Sequence, residues 1–365
     1  MQFQTMTRTK SAYIHIPFCL SKCNYCSFIS FNKLDKRTGY LYSILKEIDY
    51  YYKGEQLDTI YFGGGTPSLF SADELNKILS RFNYSDSTEI TIEVNPDSAM
   101  DLEGYKNIGF NRISIGSQSF NDEILKQIGR RHNSAQIIKT VQYAKQVGFN
   151  NISLDLIYGL PNQTLGLFEY DLNQILQLGI QHVSLYGLKI EEGCYFYEHL
   201  PENLPDDDIQ ADMYLRAIDI LDDFNHYEIS NFAKSGFESR HNLNYWQEGE
   251  YYGFGVAAHG FVDGLRYSNY CTLEEYMNAP TSHEYGKFIT KQEKLEESIF
   301  LGFRISDGID IEKLNKNFEI DFDSKYKEVI SKYLNSGHIL RTEKGYKLSD
   351  SGFLLSNIIL ADFLG

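Results

Sequence analysis

The chain has 365 residues, 42% hydrophobic and 23% charged, a composition that suits a folded globular protein with a sizeable core. Lys and Arg number 34 against 50 Asp and Glu, a formal charge of −16 that repels phosphate backbones and argues against a nucleic-acid partner. No apolar stretch approaches the roughly 20 residues of a membrane span, and residues 1–10 lack the apolar core of a signal peptide, so a cytoplasmic protein of one large domain or two ordinary ones is expected.

In chain order, residues 1–10 are polar and read as a flexible lead-in. From Ser11 to about Ile190, strand-like and helix-like segments alternate. The strand candidates are Tyr13–Ile16, Thr59–Phe62, Glu89–Val94, Arg112–Ile115, Ile152–Ile157 and His182–Leu188. Between them lie amphipathic segments at Tyr40–Tyr52, Ala72–Phe82, Leu102–Ile108, Ser134–Val147 and Phe168–Leu178. Turns such as Gly109-Phe110-Asn111 and Gly148-Phe149-Asn150 end helices and return to strands. Six βα units in succession predict an α/β core over 11–190, a parallel sheet with crossover helices. Functional residues then belong at the strand C-termini.

After Glu191 the rhythm changes. Pro201 to Pro205 form a loop, Ile209–Phe224 a helix, and 226–270 show little clean periodicity, so 191–285 is taken as an extension of the core. Residues 286–365 read as a helical, winged-helix-like module, with Ser336–Leu340 and Tyr346–Leu348 as its β-wing. Given the acidic charge, packing or partner contact suits that module better than DNA.

Three of the five cysteines, Cys19, Cys23 and Cys26, stand at C-x3-C-x2-C spacing just after the first strand. Clustered thiols in a reducing compartment suggest a soft metal rather than disulfides, whereas Cys194 and Cys271 are lone thiols. Three thiolates leave one corner open. That corner fits a four-iron cluster with a vacant iron, or a zinc site closed by His15 or a remote residue. Gly63-Gly64-Gly65-Thr66-Pro67 follows the second strand and allows close backbone approach to a ligand, with no Lys-Ser/Thr to make it a phosphate loop. Glu93 ends the third strand, Gln118 follows the fourth, and Arg130 offers a guanidinium suited to a carboxylate. Asp155 is an acid within an apolar strand, where a buried carboxylate needs a partner.

The cysteine spacing resembles the signature of the radical S-adenosylmethionine (SAM) superfamily. The wider set of motifs resembles one branch of it, the oxygen-independent coproporphyrinogen III dehydrogenases and the HemW-type haem chaperones. The likeness runs from Tyr13 to the C-terminus. It rests on Y-I-H-I-P-F-C, Y-F-G-G-G-T-P-S-L, I-E-V-N-P, N-R-I-S-I-G-S-Q-S-F, D-L-I-Y-G-L-P, Y-E-I-S-N-F-A, H-N-L-N-Y-W and G-F-G-V-A-A-H-G. The resemblance implies a partial (β/α)6 barrel in which Cys19, Cys23 and Cys26 hold three irons of a [4Fe-4S] cluster and SAM chelates the fourth. It implies a SAM site lined by Tyr13, Tyr25, Gly64, Gly65, Thr66, Glu93, Gln118, Arg130 and Asp155, with Gly187 and His259 as further positions near SAM. It also favours Arg130 over its neighbour Arg131.

Two departures separate the chain from the dehydrogenases. Those carry another cysteine two residues after the third ligand, where this chain has Phe28, and a longer N-terminal extension, where only 12 residues precede Tyr13 here. His241 to Trp246 matches the H-N-x-x-Y-W motif of the chaperone branch. The balance implies a carrier whose partners are haem and an acceptor haemoprotein, with a homodimer left open. His241 is then the expected haem ligand, in an aromatic setting with Tyr245 and Trp246. His259 is its rival and His226 a weaker one, while Glu228, Asn231 and Arg240 are expected to support the region. The alternatives are a radical SAM enzyme that decarboxylates porphyrinogen propionates, and a zinc-stabilised scaffold.

Overall fold

The computed structural model describes residues 10–99 and 101–364. The expected flexible lead-in lies outside the described residues except for Lys10, which begins the first strand. Six parallel strands follow one another across the sheet in chain order: β1 (Lys10–Ile16), β2 (Leu57–Gly64), β3 (Glu89–Val94), β4 (Arg112–Gln118), β5 (Asn151–Tyr158) and β6 (His182–Gly187). Strand side chains alternate between faces, and the sequence uses that alternation. Ile14, Ile60, Ile92, Ile113, Leu154 and Val183 are wholly buried on the outer face. The opposite parity is polar: Tyr13, Tyr61, Glu93, Ser114, Asp155 and Ser184 line the inside of the half-barrel.

The outer face is covered by α1 (Arg37–Tyr51), α2 (Ala72–Leu79), α3 (Leu102–Asn107), α4 (Asp122–Gln127), α5 (Ser134–Gln146) and α6 (Leu165–Leu178). Capping boxes start α2 (Ser71 with Glu74) and α5 (Asn133 with Gln136), each cap contributing about 1 kcal/mol. Gly179, in the left-handed region at φ 56°, ends α6. Helix α4 is additional to the expected segments, being too short at 6 residues to show a helical period.

The sheet is also wider than expected, with 12 strands. Beyond β6 lies β8 (Asn231–Ala233), antiparallel to it, and then the edge strand β7 (Asn225–Glu228), antiparallel to β8. Beyond β1 lies β9 (Tyr251–Phe254), parallel to β1, then the antiparallel β10 (His259–Val262), β11 (Leu265–Ser268) and β12 (Tyr285–Phe288). Between β6 and β9 run α7 (Tyr195–Glu198), α8 (Asp207–Ile220) and α9 (Arg240–Trp246). The stretch read as lacking periodicity therefore holds most of the sheet's extension.

After β12 come the helix Lys291–Gly302, shorter helices, and a three-stranded antiparallel sheet of Ile309–Asp310, Gly345–Leu348 and Ile339–Arg341. The last two are the expected wing. Among the described residues no helix is long and apolar enough to cross a membrane.

Candidate functional site

Beyond β1 the chain enters a loop, 17–33, that folds back on itself. The Phe31 amide donates to Pro17 O (2.6 Å) and the Cys19 amide to Phe31 O (3.0 Å). The glycine turn after β2 braces it, with the Gly65 amide donating to Ile16 O (2.9 Å) and the Thr66 amide to Phe18 O (2.8 Å). A Cβ on Gly65 would meet the Phe18 and Ile16 backbone at 2.8–2.9 Å, and one on Gly64, at φ +109°, would lie 2.4 Å from His15 Nδ1. Gly65 is required because two backbones touch there, and Gly64 because of its left-handed backbone and the His15 ring beside it. On the far side the Asn24 amide donates to Ile128 O (3.0 Å), and Asn24 O accepts from the Phe196 amide (2.9 Å).

Cys19, Cys23 and Cys26 are free and half-buried in this loop. Thr66 Oγ1 donates to Cys19 Sγ and Arg130 Nη1 to Cys23 Sγ, each at 3.5 Å. Burial pushes the Cys26 thiol up to about 11. The three thiols share one loop and one mouth, yet among the described residues no three His, Cys, Asp or Glu side chains converge as metal ligands would. His15 does not complete the set. Its Nε2–H donates to Ile29 O (2.9 Å), and its Nδ1 accepts from Tyr13 OH (3.0 Å), so both ring nitrogens are engaged. Burial holds this imidazole neutral, lowering its pKa to about 4.

The polar residues at the strand ends form a connected row. Asn95 Nδ2 donates to Thr66 Oγ1 (3.0 Å), while Asn95 Oδ1 accepts from Arg130 Nη2 (2.7 Å), which also reaches Gly116 O (2.5 Å). Arg130 has no carboxylate partner among the described residues, and its Nε lacks a hydrogen bond. Arg131, by contrast, is exposed and paired with Asp97 at 3.1 Å. Glu93 accepts from Tyr61 OH (2.8 Å) and from the Gly64 amide (3.1 Å) and has no ion-pair partner among the described residues. Burial, with Asp155 nearby, pushes its carboxyl up to about 7. Asp155 accepts from Ser114 Oγ (3.0 Å), and burial raises it too.

Gln118 is buried at φ +66°, a left-handed backbone that costs about 1 kcal/mol or more for a residue with a side chain, where the register of β4 breaks at its end. Tyr13 stacks on Tyr61 with ring centroids 6.1 Å apart, and Tyr25, its pKa raised by burial, faces Arg130 and Cys23. At the end of β6, a Cβ on Gly187 would press on the Tyr158 ring at 3.0 Å. An unpaired guanidinium and an unpaired carboxylate at one mouth are the donor set a zwitterionic amino acid requires, so these residues fit the methionyl end of SAM.

Sequence reasoning missed three members of this interior. Asn95 links Thr66 to Arg130, and Tyr61 holds Glu93. Arg112 is 2% exposed, yet its Nε has no hydrogen-bond partner and its guanidinium forms no ion pair among the described residues. Thr91 Oγ1 and Asn151 Oδ1, on the strands either side of it, lack partners as well. Its position could have been found, since Arg112 shares inward parity with Ser114.

The expected haem histidines sit differently. His241 is 1% exposed in α9, with Nδ1 bonded to Thr59 Oγ1 (2.7 Å), Nε2 bonded to Tyr245 OH (2.8 Å), and its ring stacked on Tyr61 at 5.0 Å. As placed, neither nitrogen is open to a metal. Burial and the Arg112 charge lower its pKa to about 3. His226 stacks on Phe232 at 4.3 Å and bonds Tyr214 OH. His259 is exposed at the start of β10, on the same face as Phe261. Glu228 bonds Asn231 and the Ser230 amide, and Arg240 reaches Ser87 O and Asp58 O, so all three brace the scaffold.

Comparison with known proteins completes the picture. Residues 13–175 match the radical SAM superfamily and residues 289–355 the HemN C-terminal domain. The heme chaperone HemW of Lactococcus lactis is 37% identical over 98% of both chains. That of Bacillus subtilis is 37% identical over 98% of this chain and 99% of its own, and that of Haemophilus influenzae 35% over 97% of each. Coproporphyrinogen III oxidase (HemN) from Escherichia coli, a radical SAM enzyme, shares the fold with a TM-score of 0.86 at 23% identity, covering 98% of this chain and 90% of its own. This chain belongs to the HemW heme chaperone family of radical SAM proteins.

Proposed function

We propose that the protein holds a [4Fe-4S] cluster on Cys19, Cys23 and Cys26 with SAM at the open corner, and that it accepts haem in the cytoplasm and passes it to an acceptor haemoprotein. The observation that carries the reading is kinship with heme chaperones along 98% of the chain. Where the dehydrogenases place a further cysteine this chain has Phe28, which is 68% exposed and offers no ligand.

When bound, the cluster and SAM supply one-electron chemistry. The chain's own part is to bind and orient. Arg130 takes the methionyl carboxylate through its fork, and Glu93, with the Gly64 and Gly65 backbone, takes the ammonium. A cation there draws the Glu93 proton off, because opposite charge favours the ionised carboxyl. Gln118 and Asp155 face the ribose, Tyr13 and Tyr25 wall the site, and Gly187 and His259 stand further along its rim. Thr66 and Arg130 stabilise the thiolates by donating to Cys19 and Cys23. Ligation of haem by His241 requires the Tyr245 hydroxyl to turn away from Nε2, whereas His259 is exposed as it stands.

The test is anaerobic incubation of cluster-reconstituted protein with coproporphyrinogen III, SAM and reductant, beside haem titration and transfer to an apo-haemoprotein. Haem uptake and transfer with no porphyrinogen turnover is expected. Formation of protoporphyrinogen IX would overturn the carrier reading in favour of the dehydrogenase.

A further inference from the structure

Two of the three clustered cysteine sulfurs receive a side-chain hydrogen bond, Cys19 from Thr66 Oγ1 and Cys23 from Arg130 Nη1, each at 3.5 Å. Both donors meet at Asn95. Its Nδ2 lies 3.0 Å from Thr66 Oγ1, and its Oδ1 lies 2.7 Å from Arg130 Nη2. Cys19, Thr66, Asn95, Arg130 and Cys23 therefore form one continuous line of hydrogen bonds that begins and ends on a thiol.

The direction of each bond in that line follows from what each group can do. A guanidinium only donates, so the Asn95 atom facing Arg130 is the carbonyl oxygen, and the amide nitrogen faces Thr66. That nitrogen only donates, so Thr66 Oγ1 accepts from it and keeps its own proton for another acceptor. The acceptor it meets is Cys19 Sγ. The guanidinium thus fixes the amide, the amide fixes the hydroxyl, and the hydroxyl delivers its proton to sulfur. At the other end Arg130 donates to Cys23 directly. Its Nη2 is fully committed, to Asn95 Oδ1 and to Gly116 O (2.5 Å), while its Nε is buried without a partner and remains for a ligand.

Asn95 is held in place from behind. Its carbonyl accepts from the Ser98 amide (2.9 Å), and Ser98 Oγ is bonded to Ser68 Oγ (2.8 Å), which ties the turn after β3 to the segment after β2. A side chain mounted on two braced segments orients its neighbours better than one on a free loop.

We propose that Asn95 is a positioning residue that aims one hydrogen bond at Cys19 and steadies another at Cys23, so that one amide sets both the potential of the cluster and the grip of Arg130 on the methionyl carboxylate. This rests on the cluster and SAM reading above. A hydrogen bond donated to a ligating sulfur stabilises the more negative, reduced cluster and raises its potential.

The test is redox titration followed by EPR on full-length, cluster-reconstituted protein, with SAM affinity from equilibrium dialysis. The wild type is run beside Asn95→Ala, Asn95→Asp, Thr66→Val and the double variant Asn95→Ala with Thr66→Val. Asn95→Ala and Thr66→Val are each expected to move the midpoint to more negative potential. The double variant is expected to move it by less than the sum, because Asn95 reaches Cys19 through Thr66. Asn95→Ala is also expected to bind SAM about fivefold more weakly, as for one lost hydrogen bond. Asn95→Asp has the same size but accepts the Thr66 proton, so it should lower the potential at least as far, and it carries the comparison if the alanine variant assembles no cluster. Wild-type potentials in Asn95→Ala and Asn95→Asp, or strictly additive shifts in the double variant, would overturn the relay while leaving the cluster reading intact. A wild type that assembles no cluster would overturn that reading and the relay with it.

Discussion

Replacing His241 with alanine asks whether the H-N-x-x-Y-W histidine is part of the scaffold or a ligand. The ring is 1% exposed, stacks on Tyr61 at 5.0 Å, and is bonded on both nitrogens, to Thr59 and Tyr245. Truncating a buried ring of this size costs roughly 2–5 kcal/mol through lost contacts and the cavity left behind. Each hydroxyl left without a partner adds about 1–3 kcal/mol, and the lost stacking about 1 kcal/mol. Water entering the polar cavity recovers part of this, and the terms overlap, so a net loss of about 3–5 kcal/mol is expected. Tyr245→Phe removes one hydrogen bond and leaves the ring packed, costing about 1 kcal/mol. Urea unfolding of the reconstituted protein is the assay. The midpoint should fall steeply for His241→Ala and slightly for Tyr245→Phe, with unchanged slopes. A His241→Ala protein as stable as wild type but unable to bind haem would refute the scaffold role and make His241 the ligand.

Three further outcomes follow from the same geometry. Glu47 is fully buried among donors from Tyr276, Gly255 and Asn269, and burial pushes its pKa up to about 8. Its contribution is present below the unfolded value near 4.5 and is lost as pH rises through 8, on the order of 4 kcal/mol in all. Glu47→Gln should therefore gain on wild type between pH 5 and pH 9 in urea unfolding, and a pH-independent difference would contradict this. Gly64→Ala places a methyl 2.4 Å from His15 Nδ1 at φ +109°, so it should lose about 2 kcal/mol or more and lower cluster incorporation measured as iron per chain. Arg130→Lys removes the fork that joins Asn95, Gly116 and Cys23, and equilibrium dialysis should show SAM affinity reduced by about tenfold or more.

The core was legible because two independent signals agreed. The six parallel strands carry apolar alternations with glycine stops, and of the residues singled out at their ends Thr66 and Arg130 touch Cys19 and Cys23. The extensions were not legible, since β7 to β12 are three or four residues each, too short for alternation to rise above chance. Their pairing depends on the edges offered by β1 and β6, a tertiary property. Arg112 escaped notice because its meaning lies in cross-strand neighbours, Thr91 and Asn151, far away in sequence. His241 shows the opposite failure: a motif marks the residue, but only the structure reveals Thr59 and Tyr245 on its two nitrogens.

The central claim is that three thiols of one loop carry an iron–sulfur cluster with a corner left for SAM. Iron and acid-labile sulfide analysis of anaerobically reconstituted full-length protein, joined to EPR of the reduced state with and without SAM, tests it most directly. The account predicts about four irons and four sulfides per chain, a signal that SAM alters, and loss of both in Cys19→Ala, Cys23→Ala or Cys26→Ala. Zinc without sulfide, or a cluster whose signal ignores SAM, would contradict it.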